Sequence, residues 1–251
     1  MTLSALIIAR DEEGNIVPCI QSLAGLADEV LVAVDSRTAD RTLELARDAG
    51  AKAFSVEWQG YGPTKNLALE RAAGDWVLWI DADERATPEL SAEIRKCLAS
   101  SGELAAFAVP RQAYFLGRWI RHCGWYPGYV ARLFRRGRAR FDDKAVHEGL
   151  QIDGPVGRLA RPLLHFTDPD LRHYLEKFNL YTTLAAQELN RRGRRARLSD
   201  ILVRPPAFFA KMYLLKLGFL DGLEGLALCL LSAHYVLVKY LKLWELHRDR
   251  A

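Results

Sequence analysis

The chain has 251 residues, half of them hydrophobic and 26% charged. This composition excludes a disordered or fibrous protein and suffices for one large domain with or without an appendage. Its cysteines, Cys19, Cys97, Cys123 and Cys229, lie far apart with no CxxC pair, which argues against a zinc site or disulfide framework and for thiols in a reducing compartment. The net charge of +4 hides a division: residues 1–109 carry 10 Lys+Arg against 18 Asp+Glu, and residues 110–251 carry 25 against 13. The acidic part suits a cation site, and the basic part suits an anionic partner such as nucleic acid or an anionic membrane surface.

In chain order, the apolar run Leu3 to Ala9 predicts a central strand, and apolar residues at helical spacing from Val17 to Leu26 predict a helix. No basic leader or cleavage site accompanies the first run, so the cytoplasm is the expected compartment. Val30 to Val34 predicts a second strand ending at Asp35, followed by a helix over Asp40 to Ala49 closed by Gly50. Ala51 to Val56 predicts a third strand, Thr64 to Ala73 a helix stopped by Gly74, and Trp76 to Ile80 a strand running into Asp81. Pro88 to Ala99 predicts another helix, and Ala105 to Val109 another strand. This βα alternation predicts a mostly parallel sheet covered on both faces, with its ligand site beyond the carboxyl ends of the strands. The aromatic, Gly- and Arg-rich stretch from Tyr114 to Phe141 is expected to be loop-rich, and the basic segment Arg191 to Arg197 is expected to link two parts.

The polar residues just past the strand ends are Arg10, Asp11 and Glu12, then Asp35, then Asp81 and Asp83. Three strands thus bring carboxylates to one sheet edge. Asp81 and Asp83, at i and i+2 after an apolar strand, can face one cavity and hold a divalent cation that bridges a diphosphate; Mg2+ and Mn2+ prefer such oxygen ligands and share their shell with substrate phosphates. Asp40 before Thr42 is expected to cap a helix, and Asp11 to Glu13 can equally be acids at a helix N-terminus.

LIIARDEEGNI (6–16), VAVDSRTADRT (32–42), GPTKNLALERAAGDWVLWIDADE (62–84) and KAVHE (144–148) together resemble family 2 glycosyltransferases of the GT-A fold, and within them the lipopolysaccharide core β-glycosyltransferases. The resemblance implies an α/β, Rossmann-like, mostly parallel sheet with helices on both faces. Residues 1–190 would form the transferase domain, with 1–109 binding the nucleotide sugar and 110–190 the acceptor, and 191–251 a basic, amphipathic, membrane-associating helical region. It further implies that Ala9, Arg10 and Glu12 line the nucleotide, with Glu12 near the ribose, that Asp35 contacts the base, typically uracil, and that Asp81 and Asp83 hold ribose and metal. Lys65 and Asn66 fall where the family packs a helix beside the nucleotide, Lys65 being a phosphate contact or a solvated helix residue. Many relatives carry Asn in place of Asp11.

Inverting transfer needs a base within hydrogen-bond reach of the acceptor hydroxyl. FDDKAVHE supplies the candidates: Glu148 first, Asp143 second, and His147 as an orienting group. His165, after the apolar run in LLHF, is a candidate late metal ligand, with a satisfied core histidine as the alternative. Trp125 and Tyr126, beside Gly and Pro, can form an aromatic wall for a sugar ring or a packed loop core.

Phe208 to Leu220 is amphipathic with Lys211 and Lys216, and Leu226 to Val238 is nearly uncharged over 13 residues, short of the roughly 20 that a bilayer span needs. An interfacial helical hairpin is therefore expected, with packing or dimer helices as the alternative. The expected activity is transfer of a hexose, with glucose as the first sugar to test, from a nucleotide-diphosphate sugar, UDP-linked above all, to a lipopolysaccharide core or other lipid-linked acceptor. Mg2+ or Mn2+ would be the cofactor and the cytoplasmic face of the inner membrane the place of work; no nucleic-acid motif is present. The competing classes are a sugar-phosphate nucleotidyltransferase, which would carry a Gly-rich basic loop where this chain has ARDEEGN, and a scaffold without chemistry.

Overall fold

A computed structural model describes residues 1–142 and 149–248. The chain forms two compact units: residues 1–111 with 129–165, and residues 112–128 with 166–251.

The first unit opens with β1 (Leu3–Ala9), α1 (Ile16–Ser22), β2 (Glu29–Asp35), α2 (Thr42–Asp48), β3 (Lys52–Val56), α3 (Tyr61–Leu69) and β4 (Trp76–Trp79). It continues through β5 (Glu84–Ala86), α4 (Pro88–Ala99), β6 (Ala106–Phe115, running into the second unit), the short β7 (Arg118–Trp119, in the second unit) and β8 (Gly128–Arg135). Next come β9 (Ala139–Phe141), β10 (Leu150–Ile152), β11 (Val156–Arg158) and β12 (Leu163–Asp168). The strand order of the main sheet is β3-β2-β1-β4-β8-β6-β12-β5. The first four strands are mutually parallel, β8 is antiparallel to β4, and β12 is antiparallel to β5. Parallel pairing sets the carboxyl ends of β1, β2, β3 and β4 along one edge.

Strand alternation explains why both faces are covered. Leu3, Ala5 and Ile7 of β1, Val32 and Val34 of β2, and Trp76 and Leu78 of β4 pack with Ile16 and Cys19 of α1 and Leu90 and Ile94 of α4. Their alternates Leu6, Leu31, Ala33, Val77 and Trp79 pack with Ala68 of α3 and with Phe134 and Phe141. α4 begins as its sequence predicts: Thr87 accepts a hydrogen bond from the Leu90 amide and proline follows at the first helical position. Gly50, with φ of 85°, ends α2 in the left-handed conformation that favours glycine.

Two expectations change here. α3 ends at Leu69 and not at Gly74; Gly74 is needed because a Cβ there would lie 2.7 Å from the Ser4 amide nitrogen on β1. The stretch expected to be loop-rich contains β8, an interior strand between β4 and β6. Gly and Pro disguise its start, and Arg132 interrupts its apolar run.

Glu29 ties these elements together by accepting from Ser4 Oγ (2.6 Å), the Ala73 amide (2.7 Å) and Lys52 Nζ (2.7 Å). Burial alone would raise its carboxyl, but those donors outweigh that effect and hold it at about 2, below the ordinary 4.5. A depressed value stabilises the fold fully above pH 4.5, and the contribution disappears as pH falls from 4.5 toward 2. Glu29→Gln should therefore lower the urea midpoint at pH 7, and the gap from wild type should close in acid. A gap independent of pH would refute this account.

The second unit is dominated by helices: α5 (Leu171–Arg191), α6 (Leu198–Leu202), α7 (Arg204–Ala210) and α8 (Gly222–Arg248), with a π-helical turn at Lys211–Leu215 and a 3-10 turn at Gly218–Asp221 before α8. The basic segment after Arg191 joins α5 to α6. α5 and α8 pack together: Phe178 stacks on His234 at 5.4 Å, and Lys242 Nζ donates to Asn179, Thr182 and Thr183. In place of a 13-residue apolar segment, α8 is a continuous helix of 27 residues, long and apolar enough to cross a membrane by length and composition. The discrepancy arises because the lysines at 239 and 242, which appear to close the apolar run, lie within the helix. Among the described residues all four cysteines are free, and Cys19, Cys123 and Cys229 are buried.

Candidate active site

β4 carries Trp79 to the sheet edge, where the chain turns through Asp81-Ala82-Asp83. Glu84 shapes that turn: its carboxylate accepts from the Asp81 amide at 2.9 Å, and its own amide donates to the Asp81 carbonyl at 2.9 Å. The pairing of Leu78 with Leu133 places Arg132 of β8 beside Trp79. Arg132 is 1% exposed, and its Nη2 lies 2.5 Å from Asp81 Oδ2 and 2.6 Å from Glu84 Oε1. Its guanidinium carbon sits 4.1 Å from the Trp79 ring centroid, and Lys65 Nζ, also buried, lies 3.8 Å from the same ring. The Nε and Nη1 of Arg132 and the Nε of Arg111 are buried with no hydrogen-bond partner among the described residues.

Two cations on one indole beside two carboxylates fix the local charge. Burial pushes the Asp81 carboxyl up, yet Arg132 and Lys65 outweigh it and hold Asp81 at about 2. Glu84 moves the other way, because burial raises it by more than Arg132 offsets.

His165 reaches this turn through strand register: β12 pairs with β5 so that His165 faces Glu84, which sets its Nε2 3.3 Å from Asp83 Oδ2. Burial lowers the imidazole, but Asp83 more than compensates, so His165 titrates above its usual value. A carboxylate in the turn before β5 and an imidazole on the neighbouring β12 suit a divalent cation when diphosphate oxygens complete its shell. Among the described residues no cluster of three or more His, Cys, Asp or Glu side chains could hold a metal unaided. His165 must surrender its proton before it can coordinate.

The residues predicted at the ends of β1 and β2 lie along the same edge. Ala9 ends β1 in the core, and Arg10 is exposed and 3.4 Å from Asp11. Asp11 adopts φ of 54° and accepts from the Ala39 amide at 2.8 Å, so it joins two strand-end loops and caps no helix. Glu12 accepts from Asn15, and its amide donates to Thr42. Asp35 is buried at the end of β2, where Arg37 grips it through Nε at 3.0 Å and Nη2 at 2.6 Å; this hydrogen bonding, working against burial, lowers the Asp35 carboxyl. Asp40 accepts from the Thr42 amide and the Glu13 amide, but the N-cap of α2 is Arg41, so Asp40 braces the start of the helix from one residue before the expected cap position. Lys65 is not a solvated helix residue. Asn66 brackets Phe141, donating to its carbonyl at 2.9 Å and accepting from its amide at 3.0 Å. Asp142 and Gly149 are joined by two backbone-involving bonds. The candidate bases Asp143, His147 and Glu148 lie outside the described residues. In the second unit, Trp125 packs against Phe115 and Tyr126 meets Trp119 edge-on.

Glu84, Arg111 and Arg132 are not evident from sequence as members of this cluster. The available signal is an arginine set among apolar residues in GYVARLF, which demands buried acidic partners.

An α/β sheet whose parallel strands end in an acidic turn and a paired imidazole fits the GT-A architecture. The family model described as "Glycosyl transferase family 2" matches residues 4–149. The chain belongs to glycosyltransferase family 2, and is a transferase of that family. It is 33% identical, over 100% of its length and 95% of the relative's, to the lipopolysaccharide core biosynthesis glycosyltransferase LpsC of Rhizobium meliloti (strain 1021). The mannosyltransferase PcManGT of Pyrobaculum calidifontis, solved with GDP-Man and Mn2+, shares its fold with a TM-score of 0.53 and 15% identity over 97% of this chain and 87% of that one. S. aureus TarS 1-349 with UDP-GlcNAc gives 0.52 and 14%, over 100% and 92%.

Proposed function

We propose that the chain is an inverting, divalent-cation-dependent transferase that moves a hexose, glucose being the first to test, from a nucleoside diphosphate sugar to a lipopolysaccharide core or other lipid-linked saccharide. The single observation carrying this reading is the meeting of Asp81, Asp83 and His165 at the carboxyl end of β4, with Arg132 and Lys65 beside them. The name of LpsC supports the acceptor class, and the sugar nucleotide and Mn2+ in PcManGT support the donor and the cation. Work at the cytoplasmic face of the inner membrane follows from that acceptor and from the basic second half.

In this proposal residues 1–109 serve the donor and 110–190 the acceptor. Ala9, Arg10 and Glu12 line the nucleotide, Asp35 turns from Arg37 to the base, and Asp81 turns toward the ribose. Asp83 and His165 would hold Mg2+ or Mn2+, which would supply Lewis-acid neutralisation of charge on the departing diphosphate. Lys65 adds positive charge near the same phosphates. Glu148, with Asp143 as second choice and His147 as orienting group, takes the acceptor hydroxyl proton. The acceptor oxygen bonds to the anomeric carbon from the face opposite the leaving group, the bond to the diphosphate oxygen breaks, and configuration inverts.

A donor screen tests this reading. The full chain with Mn2+ or Mg2+ should gain thermal stability from one nucleotide sugar in a panel spanning UDP-, GDP- and ADP-sugars, and the gain should vanish with EDTA. No stabilisation by any donor would reject the proposal in favour of a scaffold.

A further inference from the structure

Between Arg204 and Asp221 the chain has no acidic residue, while Lys211 and Lys216 are exposed. Around them Leu214, Leu215, Leu217, Phe219, Leu220 and Leu223 all point into solvent, Leu215 at 78% and Leu223 at 75% exposure. Soluble surfaces scatter single apolar side chains but rarely gather six within ten residues.

The segment is held firmly from behind. Leu217 has φ of 54°, an unfavourable conformation for leucine that persists only under strong local constraint. The Lys216 carbonyl accepts from the Cys123 amide at 2.9 Å, and Asp221 accepts from the Arg121 and His122 amides and from His122 Nδ1. A Cβ on Gly218 would meet Cys123 Sγ, Cys229 Sγ and the Met212 carbonyl at 2.9 Å each, and one on Gly225 would meet the Gly218 carbonyl at 2.2 Å. The leucines are thus displayed by a rigid, closely packed turn.

We propose that Leu214–Leu223 is a preformed element that inserts into the interface of an anionic phospholipid bilayer, with Lys211 and Lys216 at headgroup level. The charge supports this occupant: the unit that contains the element carries 16 Lys+Arg against 9 Asp+Glu. The element, and not a span by α8, makes the membrane contact. One face of α8 is committed to the protein through Leu228, Cys229, Ala233, Tyr240 and Leu243; Asp221, just before the helix, pairs with His122, and Glu224 and Lys242 within it pair with Arg118 and Asn179. This inference does not depend on the transfer reaction.

Sedimentation of the full chain with phosphatidylcholine vesicles, with and without phosphatidylglycerol, tests it. The wild type should partition onto the phosphatidylglycerol vesicles more strongly than onto the neutral ones. Leu215→Ser/Leu223→Ser should lose about tenfold in partition per leucine while keeping its melting temperature, since both side chains are exposed. Lys211→Gln/Lys216→Gln should lose about thirtyfold on the anionic vesicles at low salt and little on the neutral ones. Failure of the wild type to sediment with anionic vesicles overturns the proposal, as does undiminished binding by both double variants. A lipid-free dimer that Leu215→Ser/Leu223→Ser dissociates would assign the surface to a second copy of the chain instead.

Discussion

Asp83→Ala should reduce sugar transfer at least a hundredfold and abolish the stabilisation that a nucleotide sugar gives with Mn2+, while leaving the unfolding midpoint without ligand nearly unchanged. Removing one group that stabilises leaving-group charge costs several kcal/mol of barrier, and each 1.36 kcal/mol is about tenfold in rate. Asp83 is mostly shielded, with His165 3.3 Å away, and the part-buried Arg85 and Arg111 that also feel its charge keep Glu12, Asp81 and Glu84 nearby, so its loss costs the fold little. Asp83→Asn separates charge from shape and should be nearly as inactive as the alanine variant. Full transfer by either protein, measured as nucleoside diphosphate release with a competent acceptor, would remove Asp83 from the reaction.

Arg132→Met should be destabilising by about 3–5 kcal/mol, because it leaves two carboxylates facing a buried site without their cation. For a chain of this size that corresponds to a fall of about 10 °C in melting temperature. The pairing is unusually concentrated, since one nitrogen, Nη2, serves both Asp81 and Glu84 while the other two nitrogens have no partner among the described residues. Adding Glu84→Gln to Arg132→Met should recover part of the loss, as the amide carries no charge to strand. An Arg132→Met protein that melts with the wild type would show that the triad contributes nothing to the fold.

The parallel half of the sheet is legible because each of its strands is a short apolar run ended by a polar residue, and the site follows from where those ends fall. The α4 start is equally plain, with Thr87 capping and Pro88 at the first turn. Other features depend on partners distant in sequence. Gly74 has the look of a helix stop, but its reason lies on β1, at Ser4. β8 is concealed because Arg132 breaks an apolar pattern, and only its carboxylate partners, the half-buried Asp81 and the buried Glu84, make that arginine acceptable in a core. Lys65 reads as a surface lysine until the face of Trp79 is supplied. α8 extends past Lys239 because tertiary polar partners, among them Asn179 for Lys242, absorb charges that would end an isolated apolar segment.

The backbone ladder between β5 and β12 carries a consequence for how this architecture can vary. His165 is delivered to Asp83 by hydrogen-bonded register, through the pairs Ala86–Leu163, Arg85–Leu164 and Glu84–His165. Turns within the interval from residue 87 to 162, such as Arg136–Arg138, can therefore lengthen without relocating the imidazole, provided that this three-rung ladder and the interior strands β6 and β8 survive. A slip of one rung, by contrast, would turn the ring to the opposite face of the sheet. Lengthening such a turn is thus a structurally conservative change to the scaffold, whereas a single-residue insertion in the short stretch from Leu163 to His165 is not.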